Sequence, residues 1–178
     1  MRSLARGSKV PSGESVRDIS LGGLRVRTFR SETFVPAPVD KVFEFFSQAE
    51  NLERLSPPSL RFEILTPQPI EMRPGALIDY RLRLLGVPFR WQSEIVVWEP
   101  GVRFVDVQTR GPYPLWEHEH AFEAVEGGTI VHDGLRYAAP GGPLEPVLHS
   151  LFVHRQIERI FAYRERRIRE IFGTTEPA

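Results

Sequence analysis

The chain has 178 residues, of which 41% are hydrophobic and 26% are charged, as expected for one globular domain with a substantial core. Its 23 basic and 23 acidic residues cancel, so we expect no nucleic-acid partner. The absence of cysteine excludes disulfides, thiolate metal sites and cysteine nucleophiles. No apolar run is long enough to span a membrane and no signal-peptide core is present, so we expect a cytoplasmic protein without membrane insertion.

The N-terminal third begins with a polar stretch and continues with a strand and two short helices. Residues 1–24 mix Arg, Ser, Gly and Pro without periodicity, which predicts a flexible leader. Residues 25–35 alternate as a half-buried strand. Proline ends that strand, and Pro38 occupies a favourable first position for a helix over residues 39–47. A second helical turn is predicted over residues 51–55.

Beyond Pro58 the hydrophobic period changes from helical to two, which predicts a series of strands joined by turns that contain Gly and Pro. Because the connections are short, we expect neighbouring strands to run antiparallel. The predicted strands cover residues 60–65, 76–84, 89–98, 103–109, 115–125 and 129–139.

Residues 143–172 form a long stretch with a helical apolar repeat. Roughly thirty residues at 1.5 Å each make a rod of about 45 Å, which must bury its apolar stripe against another layer. We therefore predict an α+β domain over residues 25–173, in which a curved antiparallel sheet of about seven strands wraps around this helix. Leu151 and Phe161 should be buried against the sheet, and residues 174–178 form a tail.

The C-terminal end of the same helix carries a cluster of basic residues interspersed with Glu. Glu and Arg three or four positions apart pair along one face of a helix, which favours a solvated face over a nucleic-acid patch. The basic residues are Arg164, Arg166, Arg167 and Arg169.

Short motifs give residues 24–172 a family resemblance. They lie at residues 35–38, 42–46, 51–52, 57–58, 103–106, 111–112, 116–122, 127–129 and 161–164. With this order of elements, the chain resembles the START-like helix-grip superfamily, and within it the polyketide cyclase/dehydrase and lipid-transport group. The resemblance implies an apolar cavity between sheet and helix, open at one end. It does not fix an activity, because the group includes carriers, cyclases and stress-related proteins.

Alternation along the strands assigns polar, aromatic and apolar side chains to the concave face of the sheet. Such a mixture is typical of a ligand cavity, because apolar walls provide affinity and a few polar groups orient the ligand. The alternative is a filled core in which these polar groups satisfy one another. With two residues from the helix, the predicted ligand-binding set is Tyr80, Trp91, Ser93, Phe104, Asp106, Gln108, Trp116, His118, His120, Phe122, Asp133, Leu135, Tyr137, Leu148 and Phe152.

His118 and His120 lie two residues apart on one predicted strand, so both imidazoles project from the same face. Together with Asp133 or Asp106 they could hold zinc or iron. No third histidine shares that face, and the two-His-one-carboxylate spacing of the superfamily's iron oxygenases is missing, so we expect neither a metal nor another cofactor. In an enzyme, one of the histidines with Asp133 would serve as the base for cyclisation or dehydration of a polyketide-like substrate.

These observations favour a binding protein, a carrier or sensor for a small hydrophobic or amphipathic molecule. A cyclase or dehydratase that uses the same cavity is the first alternative. The second is an accessory domain that contacts a partner protein. The sequence leaves a homodimer open.

Overall fold

The computed structural model describes residues 19–21, 23–84 and 86–173. Alternating stretches form strands, and stretches with a three- or four-residue apolar repeat form helices. In chain order the elements are β1 (Ile19–Leu21), β2 (Leu24–Val35), α1 (Val39–Phe46), α2 (Glu50–Arg54), a 3₁₀ turn (Pro58–Leu60), β3 (Glu63–Ile64), β4 (Leu77–Leu84), β5 (Val87–Glu99), β6 (Arg103–Arg110), β7 (Leu115–Val125), β8 (Gly128–Ala138), a 3₁₀ turn (Gly142–Leu144), α3 (Glu145–Leu148), a π turn (His149–Val153) and α4 (His154–Phe172).

The described strands form one sheet in the order β1-β2-β8-β7-β6-β5-β4-β3, and every neighbouring pair is antiparallel. The prediction of an α+β fold with an antiparallel sheet and a long C-terminal helix is confirmed. The strand predicted over residues 60–65 is reduced to β3, because Pro58–Leu60 forms a 3₁₀ turn that buries Leu60.

Part of the predicted leader pairs with the sheet. Residues 19–21, which fall within the predicted leader, form β1 and pair antiparallel with β2. Of the rest of the predicted leader, residues 23 and 24 are described, whereas residues 1–18 and 22 lie outside the described residues. The same is true of the predicted tail over residues 174–178.

The concave face of the sheet follows the predicted alternation. Ile78, Tyr80 and Leu82 are buried on β4, while Leu77, just before them, and Arg81, between Tyr80 and Leu82, are exposed. The buried positions that alternate along β7 and β8 are His118, His120 and Phe122 on β7, and Thr129, Val131, Asp133, Leu135 and Tyr137 on β8.

The long helix differs from the prediction in its first half. Residues 142–153 form a succession of 3₁₀, α and π turns, and the regular helix α4 begins at His154. Leu151, predicted to be buried, is 49% exposed, because the π turn breaks the 3.6-residue repeat that would carry the apolar stripe onward. Phe161 is buried, as predicted. None of the helices in the described ranges is long and apolar enough to cross a membrane.

The hydrophobic core of the described residues has three clusters, and in one of them Ile157 and Phe161 of α4 pack with Leu135 and Tyr137 of β8. Another cluster joins α1 and the end of α4 to the sheet through Val42, Phe43, Phe122 and Ile168. The third cluster gathers Tyr80, Trp91, Ile95 and Tyr113 around β4 and β5. The space between these clusters, under α4, contains the candidate site.

Candidate functional site

A cavity of about 170 Å³ lies between the sheet, α2 and α4. Its wall is mostly apolar and aromatic, and one side carries buried polar groups. Eight of the predicted ligand-binding residues line it: Tyr80, Trp91, Ser93, Phe104, Asp106, Trp116, His118 and His120.

The buried polar groups converge on the carboxylate of Asp133, which is 3% exposed. His118 donates from Nε2 to Asp133 Oδ1 at 3.0 Å. Nδ1 of His120 lies 2.8 Å from the same oxygen, although the ring is not oriented for a hydrogen bond. Arg164 donates from Nη1 to that oxygen at 3.4 Å. β7 and β8 bring these groups together because the antiparallel register pairs His120 with Asp133 and His118 with Leu135.

A second chain of polar contacts lies on the β5–β6 side of the cavity. Trp91 donates from Nε1 to Ser93 Oγ at 3.1 Å, and Ser93 donates from Oγ to Asp106 Oδ1 at 3.0 Å. The other oxygen of Asp106 lies 3.8 Å from Nε2 of His120, which connects the two polar groups.

Burial and neighbouring charges together set the charge states of this cluster. It lowers the pKa of His120 to about 3, with His118 acting in the same direction, so the ring of His120 is neutral near pH 7. Burial also raises the pKa of Asp106. Burial would likewise raise the pKa of Asp133, but the charge of Arg164 and contacts with His118 and His120 outweigh it and hold that pKa well below its usual value. Asp133 is therefore the ionised carboxylate at the centre of the cluster.

The structure also assembles a set of possible metal ligands. Asp106, His118 and His120 offer ligand atoms within 4.8 Å of one another. The sequence analysis named Asp106 as one of two possible third ligands, and the β6–β7 register, which pairs Asp106 with His118, brings this set together. Nitrogen and oxygen donors of this kind suit zinc or iron. The guanidinium of Arg164 beside the same cluster opposes a second cation there, so we assign no metal to it.

Several predicted site residues lie outside the cavity wall. Gln108 donates from Nε2 to the backbone oxygen of Tyr113 at 2.6 Å and so supports the loop after β6. Phe122, Leu135 and Tyr137 belong to the packed core, while Asp133 lies behind the two histidines.

The two predicted helix residues do not line the cavity either. Leu148 is half-buried beside Gly141, and Phe152 is 45% exposed. The placement of Phe152 in the cavity was wrong for the same reason as that of Leu151, the π turn at His149–Val153.

Arg164 is the main cavity residue that the sequence analysis missed. It was assigned to a solvated face, but it is 8% exposed and lines the cavity. The helical repeat contained the signal, since Arg164 follows Phe161 by three residues and precedes Ile168 by four, which places it on the buried stripe. The other basic residues of that cluster follow the prediction, because Arg166 and Arg167 lie close to Glu170, and Arg169 pairs with Glu165.

The curved sheet, the long helix and the cavity between them define a START-like helix-grip protein. The sequence model described as polyketide cyclase / dehydrase and lipid transport matches residues 26–168, and the chain belongs to that family. A comparison with curated proteins finds no match.

Solved structures with a similar fold come from bacteria and plants. Protein CV1439 from Chromobacterium violaceum has a TM-score of 0.63 and 14% identity, over 83% of this chain and 98% of that one. The Zhui aromatase/cyclase from Streptomyces has a TM-score of 0.60 and 16% identity, over 84% and 100%. The major latex-like protein 151 from Panax ginseng has a TM-score of 0.61 and 10% identity, over 83% and 97%. At these identities the likeness concerns the fold.

Proposed function

We propose that the protein binds a small hydrophobic or amphipathic molecule in this cavity, as a carrier or sensor. The observation that carries the proposal is the combination of an apolar wall with one buried polar side, which is the usual construction of a ligand site. The family supports it, since the family description includes lipid transport.

The cavity volume limits the size of the ligand. A cavity of roughly 150 Å³ is enough to hold benzene in a protein core. At about 170 Å³, this cavity suits a molecule with one or two rings, or a short chain of similar volume.

The test has two steps: the ligand is identified, and the volume of the cavity is then reduced by a larger side chain. Native mass spectrometry of the protein purified from its natural host should reveal a bound molecule of this size. The substitution Ala49→Leu adds volume to the cavity wall and should reduce affinity for that molecule at least about tenfold. The matched control is Ala162→Leu on the exposed side of α4, which should bind normally. Equal binding by both variants would place the ligand elsewhere.

A second candidate function is catalysis of a cyclisation or dehydration. The observation that favours it is the hydrogen bond between His118 and Asp133, because a carboxylate that orients a histidine is a common arrangement for a general base. His118 lines the cavity, and so would face a bound substrate.

The two functions differ in how His118→Gln and His120→Gln should behave. In a carrier, each change should lower affinity by no more than about 1–2 kcal/mol, the scale of one hydrogen bond. If either histidine is a base, binding should stay nearly intact and turnover should fall by about 10²–10⁴-fold. We expect the carrier pattern; a product formed by the wild type and lost in either variant would establish the enzyme instead.

The third reading, an accessory protein-interaction domain, has weaker support. It requires a fully packed core beside an exposed apolar patch. The patch exists on the first half of the helical segment, at Leu144, Val147, Leu151 and Phe152. The cavity under α4 counts against a fully packed core.

A further inference from the structure

Arg164 carries a buried charge whose hydrogen-bonding capacity is largely unused. A guanidinium has five N–H donors in a planar fork. Among the described residues, Arg164 donates one hydrogen bond, a long one of 3.4 Å from Nη1 to Asp133 Oδ1. Its Nε is buried without a partner. The group lies over the ring of Phe46, 5.5 Å from the ring centre. Leaving buried charged donors unsatisfied is costly, so this arrangement favours an additional acceptor.

Asp133 does not satisfy all the N–H donors of Arg164. Its Oδ1 already accepts from His118 at 3.0 Å and lies 2.8 Å from His120, so Arg164 is the most distant of its three partners. The second carboxyl of the cavity, Asp106, is directed to Ser93, and burial raises its pKa, which reduces the negative charge that an incoming anion would meet.

The rest of the cavity suits the apolar part of such an anion. Ile157, Ile160 and Phe161 on α4 and Trp116 on β7 line the same cavity as Arg164. A molecule with an apolar ring and one acidic group could therefore place the ring against these residues and the acid against the guanidinium.

We propose that the cavity selects a small hydrophobic carboxylate and that Arg164 is the residue that binds its acidic group. Two N–H groups on one edge of the planar guanidinium match the two oxygens of a carboxylate, whereas the ammonium group of a lysine offers no such pair. This inference rests on the proposed function and deepens it, since it assigns the chemical class of the ligand.

The test compares two probes of the same shape, 2-naphthoate and 2-naphthamide, by isothermal titration calorimetry. Wild-type protein should bind the acid at least about tenfold more tightly than the amide. Arg164→Gln should lose about ten- to hundredfold in affinity for the acid and keep its affinity for the amide within about threefold. Arg164→Lys should fall between the two, because it retains the charge without the fork. Arg166→Gln, on the exposed side of the same helix, is the matched control and should resemble the wild type.

Each outcome is informative. Retained amide binding shows that the cavity of a variant is intact. A selective loss of acid binding then supports Arg164 as the residue that binds the acidic group. If the wild-type protein binds acid and amide equally, the proposed selection of a carboxylate by Arg164 is wrong, while the proposed binding function still stands. That comparison does not depend on how the variants fold. If wild type binds neither probe and no ligand co-purifies, the proposed function and this inference both fail.

Discussion

The two halves of the C-terminal helical segment have similar apolar spacing but attach to the sheet differently. The second half, α4, buries Ile157, Phe161 and Ile168. The first half, residues 142–153, exposes most of its apolar residues, and Leu144 is 66% exposed. An apolar stripe is therefore buried only where regular α geometry keeps it in line with the sheet beneath.

The first half is held by polar contacts instead. Glu145 forms a buried ion pair with Arg27 on β2. Nε2 of His149 lies 2.8 Å from the hydroxyl oxygen of Tyr137 on β8. Polar contacts of this kind fix a position but add little net stability, so the first half should open more readily than α4.

The largest expected effect comes from the apolar stripe of α4. Phe161→Ala should lower the free energy of unfolding by about 3–5 kcal/mol, because it empties a buried aromatic site. Leu151→Ala is the counterpart in the first half and should cost less than about 0.5 kcal/mol, since Leu151 is 49% exposed. Chemical denaturation measures both. Similar losses in the two variants would contradict the difference between the halves.

The next largest effect is on the pH dependence of stability, and it comes from His120 in the polar cluster under α4. Burial lowers the pKa of His120 to about 3, so the unfolded chain binds a proton near pH 6.5 that the folded chain does not. Stability should therefore be fully present above about pH 6.5 and decrease as the pH falls toward 3, by up to about 1.4 kcal/mol for each pH unit. His120→Gln should reduce this slope.

Denaturation at several pH values provides the measurement, and Phe161→Ala is its control. That variant is less stable but retains His120, so it should keep the wild-type slope. An unchanged slope in His120→Gln would show that another group causes the acid sensitivity.

A smaller effect is expected from the ion pair of the first half. Glu145→Gln removes the charge that faces Arg27 and should cost about 1–3 kcal/mol. Amide hydrogen exchange should rise in residues 142–153 while α4 stays protected. Glu165→Gln, which breaks an exposed pair with Arg169, is the control and should change stability by less than about 0.5 kcal/mol. Equal exchange across both halves would mean that the segment opens as one unit.

The smallest effect should follow Tyr137→Phe. This change removes the hydroxyl that contacts His149 and keeps the ring packed, so the expected loss is about 1 kcal/mol. Faster exchange confined to His149–Val153 would locate the effect at the π turn. No change there would show that the hydroxyl contact does not hold this turn.

Local patterns in the sequence determined most of the fold. Alternation marked the concave positions of β4, β7 and β8, where residues such as Tyr80, His118 and Asp133 are buried. Pro38 and the helical repeat after it marked α1. These signals are reliable because backbone geometry directs side chains at fixed intervals, whatever lies opposite them.

Only the tertiary structure decided which charged groups meet and where the helical stripe ends. The register of β6, β7 and β8 brings Asp106, His118 and Asp133 together from three strands, and no spacing along one strand reports that. The helical repeat places Arg164 on the buried stripe, but only the packing of α4 on the sheet brings it to Asp133. The exposure of Leu151 depends on a π turn that composition does not reveal. The reason is common to all three: contacts between distant residues depend on how whole elements pack, whereas sequence periodicity describes one element at a time.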